Sequence, residues 1–194
     1  MAGTIHIFDF LESTTADVPA GVCPVFGGER FLKRLAIKHM TGGGDDESSE
    51  YSVTQLEGDQ ATWADVNDEL STRSLFGGDG PKIVVVDDAD KFVSNYRDRL
   101  EDFQSAKDKS GVLVLIVSKW ASNTRLYKTI HKSGLQIRCD APMRGKSKQP
   151  DQGAIQKWLI ARAKAEYKFT LPAAGAATLI EFYLLYTSDA ADDS

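Results

Sequence analysis

Residues 71–90 read STRSLFGGDGPKIVVVDDAD, and this stretch carries the two signals on which the fold turns. Its second half, Lys82-Ile83-Val84-Val85-Val86-Asp87-Asp88, is an unbroken β-branched run ending in two carboxylates. A run without polar alternation fits a strand buried on both faces, as in a parallel sheet. The first half sets two large apolar residues, Leu75 and Phe76, directly before Gly77, Gly78, Gly80 and Pro81, which mark a loop. An apolar pair on a loop either folds back onto the core, here onto Val66 and Leu70, or anchors a partner. Spacing alone leaves both open.

Outward from this stretch the chain alternates strand and helix patterns. Gly21–Phe26 (GVCPVF) reads as a strand, Gly27-Gly28-Glu29 as a turn, and Arg30–Met40 as an amphipathic helix. A Gly/Asp/Ser loop follows, then a strand over Tyr51–Leu56 and a helix over Ala61–Leu70. Beyond the central run come a helix over Lys91–Lys107, a second apolar strand over Val112–Val117, a helix over Asn123–Lys132 and a short strand over Leu135–Arg138. Residues 3–20 read as an amphipathic lead-in. Strands separated by helical patterns predict βαβ crossovers and a parallel sheet with helices on both faces. The stretch from Ala141 to Gln149 carries Pro142, Gly145 and several basic residues and reads as a linker, with the first domain ending at about Asp140. Helical stripes over Asp151–Tyr167 and from Leu171 predict the start of a small helical second domain running to about Phe182.

Composition narrows the class. With 194 residues, 42% hydrophobic and 26% charged, the chain has material for a real core. No window approaches the roughly 18 apolar residues of a membrane span, so no membrane partner is expected, and Met1–Leu11 has no signal-peptide pattern. Cys23 and Cys139 each lie beside an apolar run and read as buried free thiols, which makes the cytoplasm the expected compartment. The net charge of −5 is unevenly spread: residues 45–50 are acidic, and Arg144–Lys168 is basic. The basic segment reads as a solvated face, or as a surface that meets nucleic-acid phosphates.

The strand–turn–helix at residues 21–40 has the layout of a phosphate loop. That chemistry needs GxxxxGK[ST], with backbone amides for the phosphates, a lysine for charge and a hydroxyl for magnesium. Here Gly27-Gly28-Glu29-Arg30 leads into Phe31, Leu32, Lys33 and Arg34, without the second glycine or the Lys-Ser/Thr pair. Glu29 would repel a triphosphate. The expectation is a degenerate loop on a P-loop ATPase-like fold, with no cofactor. Asp87 and Asp88 stand where such ATPases carry the acids that hold magnesium and polarise water. Without a working loop they are expected to cap the following helix instead. The competing reading is an ATPase that binds nucleotide at Gly27–Arg30 and uses Asp87 and Asp88 with magnesium. Ser118 reads as a plain strand end, and Arg125 as an interface arginine or a solvated helix residue. His6, His39 and His131 show no triad or metal spacing, and no catalytic constellation emerges.

The order of these pieces resembles the delta subunit of the bacterial DNA polymerase III clamp loader. The stretches that carry the resemblance are VCPVFGGERFLKRLAI, SLFGGDGPKIVVVDDADKF, GVLVLIVSKWASNTRLYKTIHKSG and IQKWLIARAKAEYKFTLPAAGAATLIE, within Val22–Glu181. The resemblance implies an AAA+-like first domain that does not hydrolyse ATP, followed by a helical lid. It also implies a subunit of a DNA-directed DNA polymerase holoenzyme rather than an enzyme in its own right. Its partners would be the ring-shaped sliding clamp (the beta subunit) and the other loader subunits. Carried onto this chain, Ser74, Leu75 and Phe76 are the clamp-binding residues, with Leu75 and Phe76 as pocket anchors; Ser71 stands where such motifs often begin with glutamine. That family continues into a third, helical collar domain, so the resemblance implies a chain that can grip a clamp without the piece that joins the assembly.

Leu184–Asp192, LLYTSDAAD, resembles the translation of a sequencing-library adapter and fits no helix continuation. No function is read from residues 183–194.

Overall fold

The computed structural model describes residues 2–13, 18–42, 52–71, 82–145 and 149–192, with 183–192 described through their backbone alone. The chain divides into two compact units, Met1–Asp140 and Ala141–Ser194.

The first unit is built on a six-stranded sheet in which every strand pair is parallel. Its strands are β1 (Gly3–His6), β2 (Gly21–Phe26), β3 (Val53–Glu57), β4 (Lys82–Asp87), β5 (Gly111–Val117) and β6 (Leu135–Arg138), in the spatial order β1-β6-β2-β5-β4-β3. The three central strands are the most apolar, for a simple reason. Each has a strand on both edges and helices over its faces, so almost no position along it meets water. Val22, Val84, Val86, Leu113, Leu115 and Val117 form one face of this centre. Against them pack α3 (Trp63–Ser71) through Val66 and Leu70, α4 (Asp90–Asn95) through Phe92, α5 (Arg97–Ser105) through Leu100, and α6 (Arg125–Ser133) through Leu126 and Ile130. Burying each such side chain contributes about 1.5–3 kcal/mol. On the opposite face lie α1 (Ile7–Glu12) and α2 (Arg30–Met40), which bury Ile7, Phe10, Leu32, Leu35, Ala36 and Met40. The architecture is the expected α/β one, a parallel sheet with helices on both faces.

Three elements differ from the sequence reading. Residues 3–20 hold an edge strand, β1, paired with β6 from Gly3↔Leu135 to His6↔Arg138, and then α1. Four residues are too few for a period to show, and His6 marks the join by accepting the Phe8 amide at 3.3 Å. The helix expected over Lys91–Lys107 is two helices, α4 and α5, broken at Tyr96. No glycine or proline signals that break; the Tyr96 ring instead packs 4.9 Å from Phe92 within the core. The third difference lies in the second unit, where α8 (Ala173–Asp192) carries its helical backbone through Leu184–Asp192. Strong helix formers (Leu184, Leu185, Ala190, Ala191) and the absence of Gly or Pro after Gly175 suffice for that.

Gln104 shows how a buried polar group is satisfied here, whereas His39 Nε2 is buried without a hydrogen-bond partner among the described residues. β6 pairs with β2 only at Val25 and Phe26, so the Val22 amide further down the strand has no strand partner on that side. Gln104, 1% exposed, supplies its Oε1 to that amide at 2.7 Å and donates from Nε2 to Ser133 Oγ at 3.0 Å. In the second unit, α7 (Gln152–Tyr167) starts at Asp151, whose carboxylate accepts the Ala154 amide at 3.0 Å. It packs on α8, with Trp158, Ala176 and Ile180 buried. A Met143–Pro150 bridge and a bond from the Asp151 amide to the Pro142 carbonyl join the described residues before α7.

Candidate functional site

In an open parallel sheet the carboxyl ends of the strands form the natural binding edge. Here β2, β4 and β5 end on a cleft of about 710 Å³ lined by the degenerate loop, α2 and the acids after β4. Gly27, Gly28 and Arg30 of the expected phosphate loop line it together with Asp87 and Asp88, while Glu29 does not, and their geometry decides what the cleft can do.

The loop is closed on itself. Gly27 sits at φ +128°, and a Cβ there would lie 2.6 Å from the carbonyl carbon and oxygen of Cys139. Only glycine allows the chain after β6 to approach so closely. The Gly28 amide donates to Asp140 Oδ1 at 2.8 Å and the Glu29 amide donates to the Cys139 carbonyl at 3.1 Å. Two amides that would receive phosphate oxygens are already paired, one of them with a carboxylate. Arg30 starts α2, which has no side-chain cap and no acid in its first turn.

Lys33 adds a feature missed in the sequence. It stands six residues after Gly27, the spacing of the lysine in GxxxxGK. Its side chain lies buried in the wall of the cleft, and Nζ is engaged, donating to the Val117 carbonyl at 2.9 Å. The lysine that would bind β- and γ-phosphates instead holds the end of β5.

The two acids after β4 do not cap α4, contrary to expectation. The cap residue is Ala89, without a side-chain hydrogen bond. Asp87 turns its Oδ1 back to the Asp88 amide at 2.9 Å, and Asp88 adopts φ +44°. Gly58 makes this turn possible: its amide donates to the Asp87 carbonyl at 2.7 Å, and a Cβ there would lie 2.6 Å from the same oxygen. The residue that links to its surroundings is the next acid, Asp90. Its carboxylate accepts the Ser118 amide and hydroxyl, both at 2.9 Å, and the Lys119 amide at 3.3 Å. Ser118 is thus not a plain strand end; Asp90 ties it to the start of α4. Arg125 pairs with the largely buried Glu101 at 3.2 Å while its own side chain stays exposed.

Ser74, Leu75 and Phe76 lie outside the described residues. Their described flanks, the end of α3 at Ser71 and the start of β4 at Lys82, lie at the amino-terminal edge of the sheet, opposite the cleft. Glu69 Oε2 joins those flanks, accepting from Lys82 Nζ at 2.9 Å and from Thr54 Oγ1 at 2.9 Å. The bond from Lys82, then the bond from Thr54, hold the Glu69 carboxyl below its ordinary value. Val66 and Leu70, the places where Leu75 and Phe76 would fold back, are packed in the core against the sheet.

Cys23 and Cys139 are free and buried, as expected. Burial drives the Cys23 thiol far above its usual range. Burial likewise pushes Cys139 up to about 12, an effect that the Lys33 ammonium partly offsets and Asp140 reinforces. Among the described residues no cluster of three or more His, Cys, Asp or Glu could hold a metal, and no helix is long and apolar enough to cross a membrane. Asp90 and Asp140 were both missed. Asp90 sits inside the acidic run Asp87–Asp90, where nothing marks it out, and the Asp140 contact with Gly28 spans 112 residues.

No protein-family model and no curated protein sequence matches the chain. Among solved structures, the chain is similar to the Bacillus subtilis DNA clamp loader delta protein (YqeN), with a TM-score of 0.63 and 15% identity over 90% of this chain. The chain spans 50% of that protein's length. It also aligns with Saccharomyces cerevisiae RIF2 at a TM-score of 0.38 and 15% identity, covering 93% of this chain and 69% of the other. The first similarity is one of fold, and the second carries no argument.

Proposed function

We propose that this chain is a clamp-loader subunit of the delta type, which grips a ring-shaped sliding clamp and helps to open it for loading on primed DNA. The observation that carries the reading is the pairing of an AAA+-like fold with a phosphate loop sealed by its own chain. The Gly28 and Glu29 amides are bonded to Asp140 and Cys139, and Lys33 is buried on Val117. A motor fold without a usable nucleotide loop suits a mechanical and binding role. The fold similarity to a clamp loader delta protein supports the same reading. The sealed loop weighs against the ATPase reading of Gly27–Arg30 with Asp87 and Asp88.

In this proposal the Ser74-Leu75-Phe76 segment is the grip, with Leu75 and Phe76 filling an apolar pocket on the clamp. Burying the two side chains contributes about 3–6 kcal/mol before the cost of ordering the segment. Glu69 and Lys82 brace its two ends. Other loader subunits are the further partners, and the first unit (1–140), the 141–150 stretch and the helices beyond it play the parts of ATPase-like domain, linker and lid.

The test is binding of the full chain to a purified bacterial sliding clamp, beside Leu75→Ala/Phe76→Ala. The expected result is saturable binding that the double substitution weakens by about 3 kcal/mol or more, as for hot-spot anchors. Equal binding by both would remove the site assignment. A folded chain that ignores the clamp would remove the function.

A further inference from the structure

Helix α2 is charged in an unusual way. The chain as a whole is acidic, with 28 Asp and Glu against 23 Lys and Arg. Yet α2, RFLKRLAIKHM, carries four Lys/Arg and no acid. Lys33 is buried, whereas Arg30, Arg34 and Lys38 are exposed and line the cleft. They recur every four residues and so share one arc of the helix, extending about 12 Å along its axis. None forms an ion pair with a described residue. Arg30 also stands in the first turn, where the helix dipole disfavours a cation. Helix stability does not explain the pattern, and a solvated face would ordinarily mix both signs.

The same arc carries Phe31, 62% exposed, one turn before Arg34. An exposed aromatic beside a line of exposed cations is the combination that binds single-stranded nucleic acid: the cations follow the phosphates and the ring stacks on a base. The geometry argues against a mononucleotide. The loop amides that would gather a di- or triphosphate are bonded to Asp140 and Cys139, and Asp87 and Asp88 form the facing wall. The three cations are strung out along the helix rather than converging on one point.

We propose that the exposed arc of α2, made of Arg30, Phe31, Arg34 and Lys38, is a binding site for a single strand of nucleic acid. This site lies at the carboxyl edge of the sheet, and its proposal does not rest on the clamp reading.

The experiment is fluorescence anisotropy of a labelled oligothymidylate with the full chain, titrated between 50 and 200 mM salt. Three phosphate contacts on a single strand give a log–log slope of about −2, hence about a twentyfold loss of affinity over that range. Arg34→Glu/Lys38→Glu, at exposed positions, is expected to flatten the slope by about 1.4 and to weaken binding at least about tenfold at low salt. Phe31→Ala is expected to weaken binding by about fivefold or more with the slope unchanged, the signature of lost stacking. Circular dichroism melts confirm that each variant is folded. Lys157→Glu/Lys164→Glu, on the exposed part of α7, is the comparison. The proposal is overturned if the oligonucleotide does not bind. It is equally overturned if only the α7 variant loses binding, or if a fluorescent ATP analogue binds saturably and competes with the oligonucleotide.

Discussion

Replacing Asp90 with alanine should cost more than any other single change of a polar residue lining the cleft's surroundings. The carboxylate accepts three hydrogen bonds, from the Ser118 amide and hydroxyl at 2.9 Å and from the Lys119 amide at 3.3 Å. It thereby joins the β4–α4 turn to the end of β5. A hydrogen bond to a charged group contributes about 1.5–3 kcal/mol when well buried and nearer 0.5–1.5 kcal/mol otherwise. Asp90 is half-buried and its third bond is long, so the lower range applies, and the three together come to about 3 kcal/mol. Two helix effects nearly cancel. Loss of an acid from the first turn of α4 costs about 0.5 kcal/mol, and the better helix propensity of alanine returns about as much. For a chain of this size, 3 kcal/mol lowers Tm by about 6–12 °C. Asp90→Asn keeps one oxygen acceptor but presents an N–H donor to one of its donors, so about 1–2 kcal/mol should be lost. Urea unfolding followed by tryptophan fluorescence measures both, with Trp120 two residues from Ser118 as a nearby reporter. A change below about 0.5 kcal/mol for Asp90→Ala would refute the claim that this carboxylate joins the two strands' ends.

Three further outcomes are expected. The folded-state value of Glu69 lies below its ordinary 4.5, so its contribution to stability is complete above that pH and is lost as pH falls through the depressed value. Wild type should therefore lose its advantage over Glu69→Gln as acid unfolding is followed below about pH 4.5. Gly27→Ala, which forces a side chain into φ +128° and into the Cys139 backbone, should destabilise by about 2 kcal/mol or more in the same urea assay. Cys23 and Cys139 should resist a thiol reagent at pH 8 in the folded protein and both react in denaturant; a fast native reaction would contradict their burial.

Much of the fold was legible because burial on two faces leaves a mark that survives in one dimension. The runs Ile83–Val86, Val112–Val117 and Gly21–Phe26 all became central parallel strands, and the stripe through Phe31, Leu32, Leu35, Ile37 and Met40 located α2, although the face it buries is Leu32, Leu35, Ala36 and Met40 and Phe31 is exposed. The absence of the Lys-Ser/Thr pair already pointed to a degenerate loop. Where local pattern was too short, as in β1, or where packing alone broke a helix, as at Tyr96, the sequence had no signal to offer. Part of the cleft's membership was legible, but not its wiring. Gly27, Gly28, Asp87 and Asp88 do share one cleft, but the acids do not cap α4.

The sequence by itself determined the strand and helix alternation, the parallel sheet and the loss of a phosphate-binding consensus, since each follows from residues near one another in the chain. Only the tertiary structure decided how that loss is enforced. Asp140 meets Gly28 across 112 residues, Lys33 reaches Val117 across 84, and Asp90 reaches Ser118 across 28. Such contacts depend on which strands the sheet places side by side. A hydrogen bond leaves no periodic trace in sequence, whereas the burial of an apolar face does.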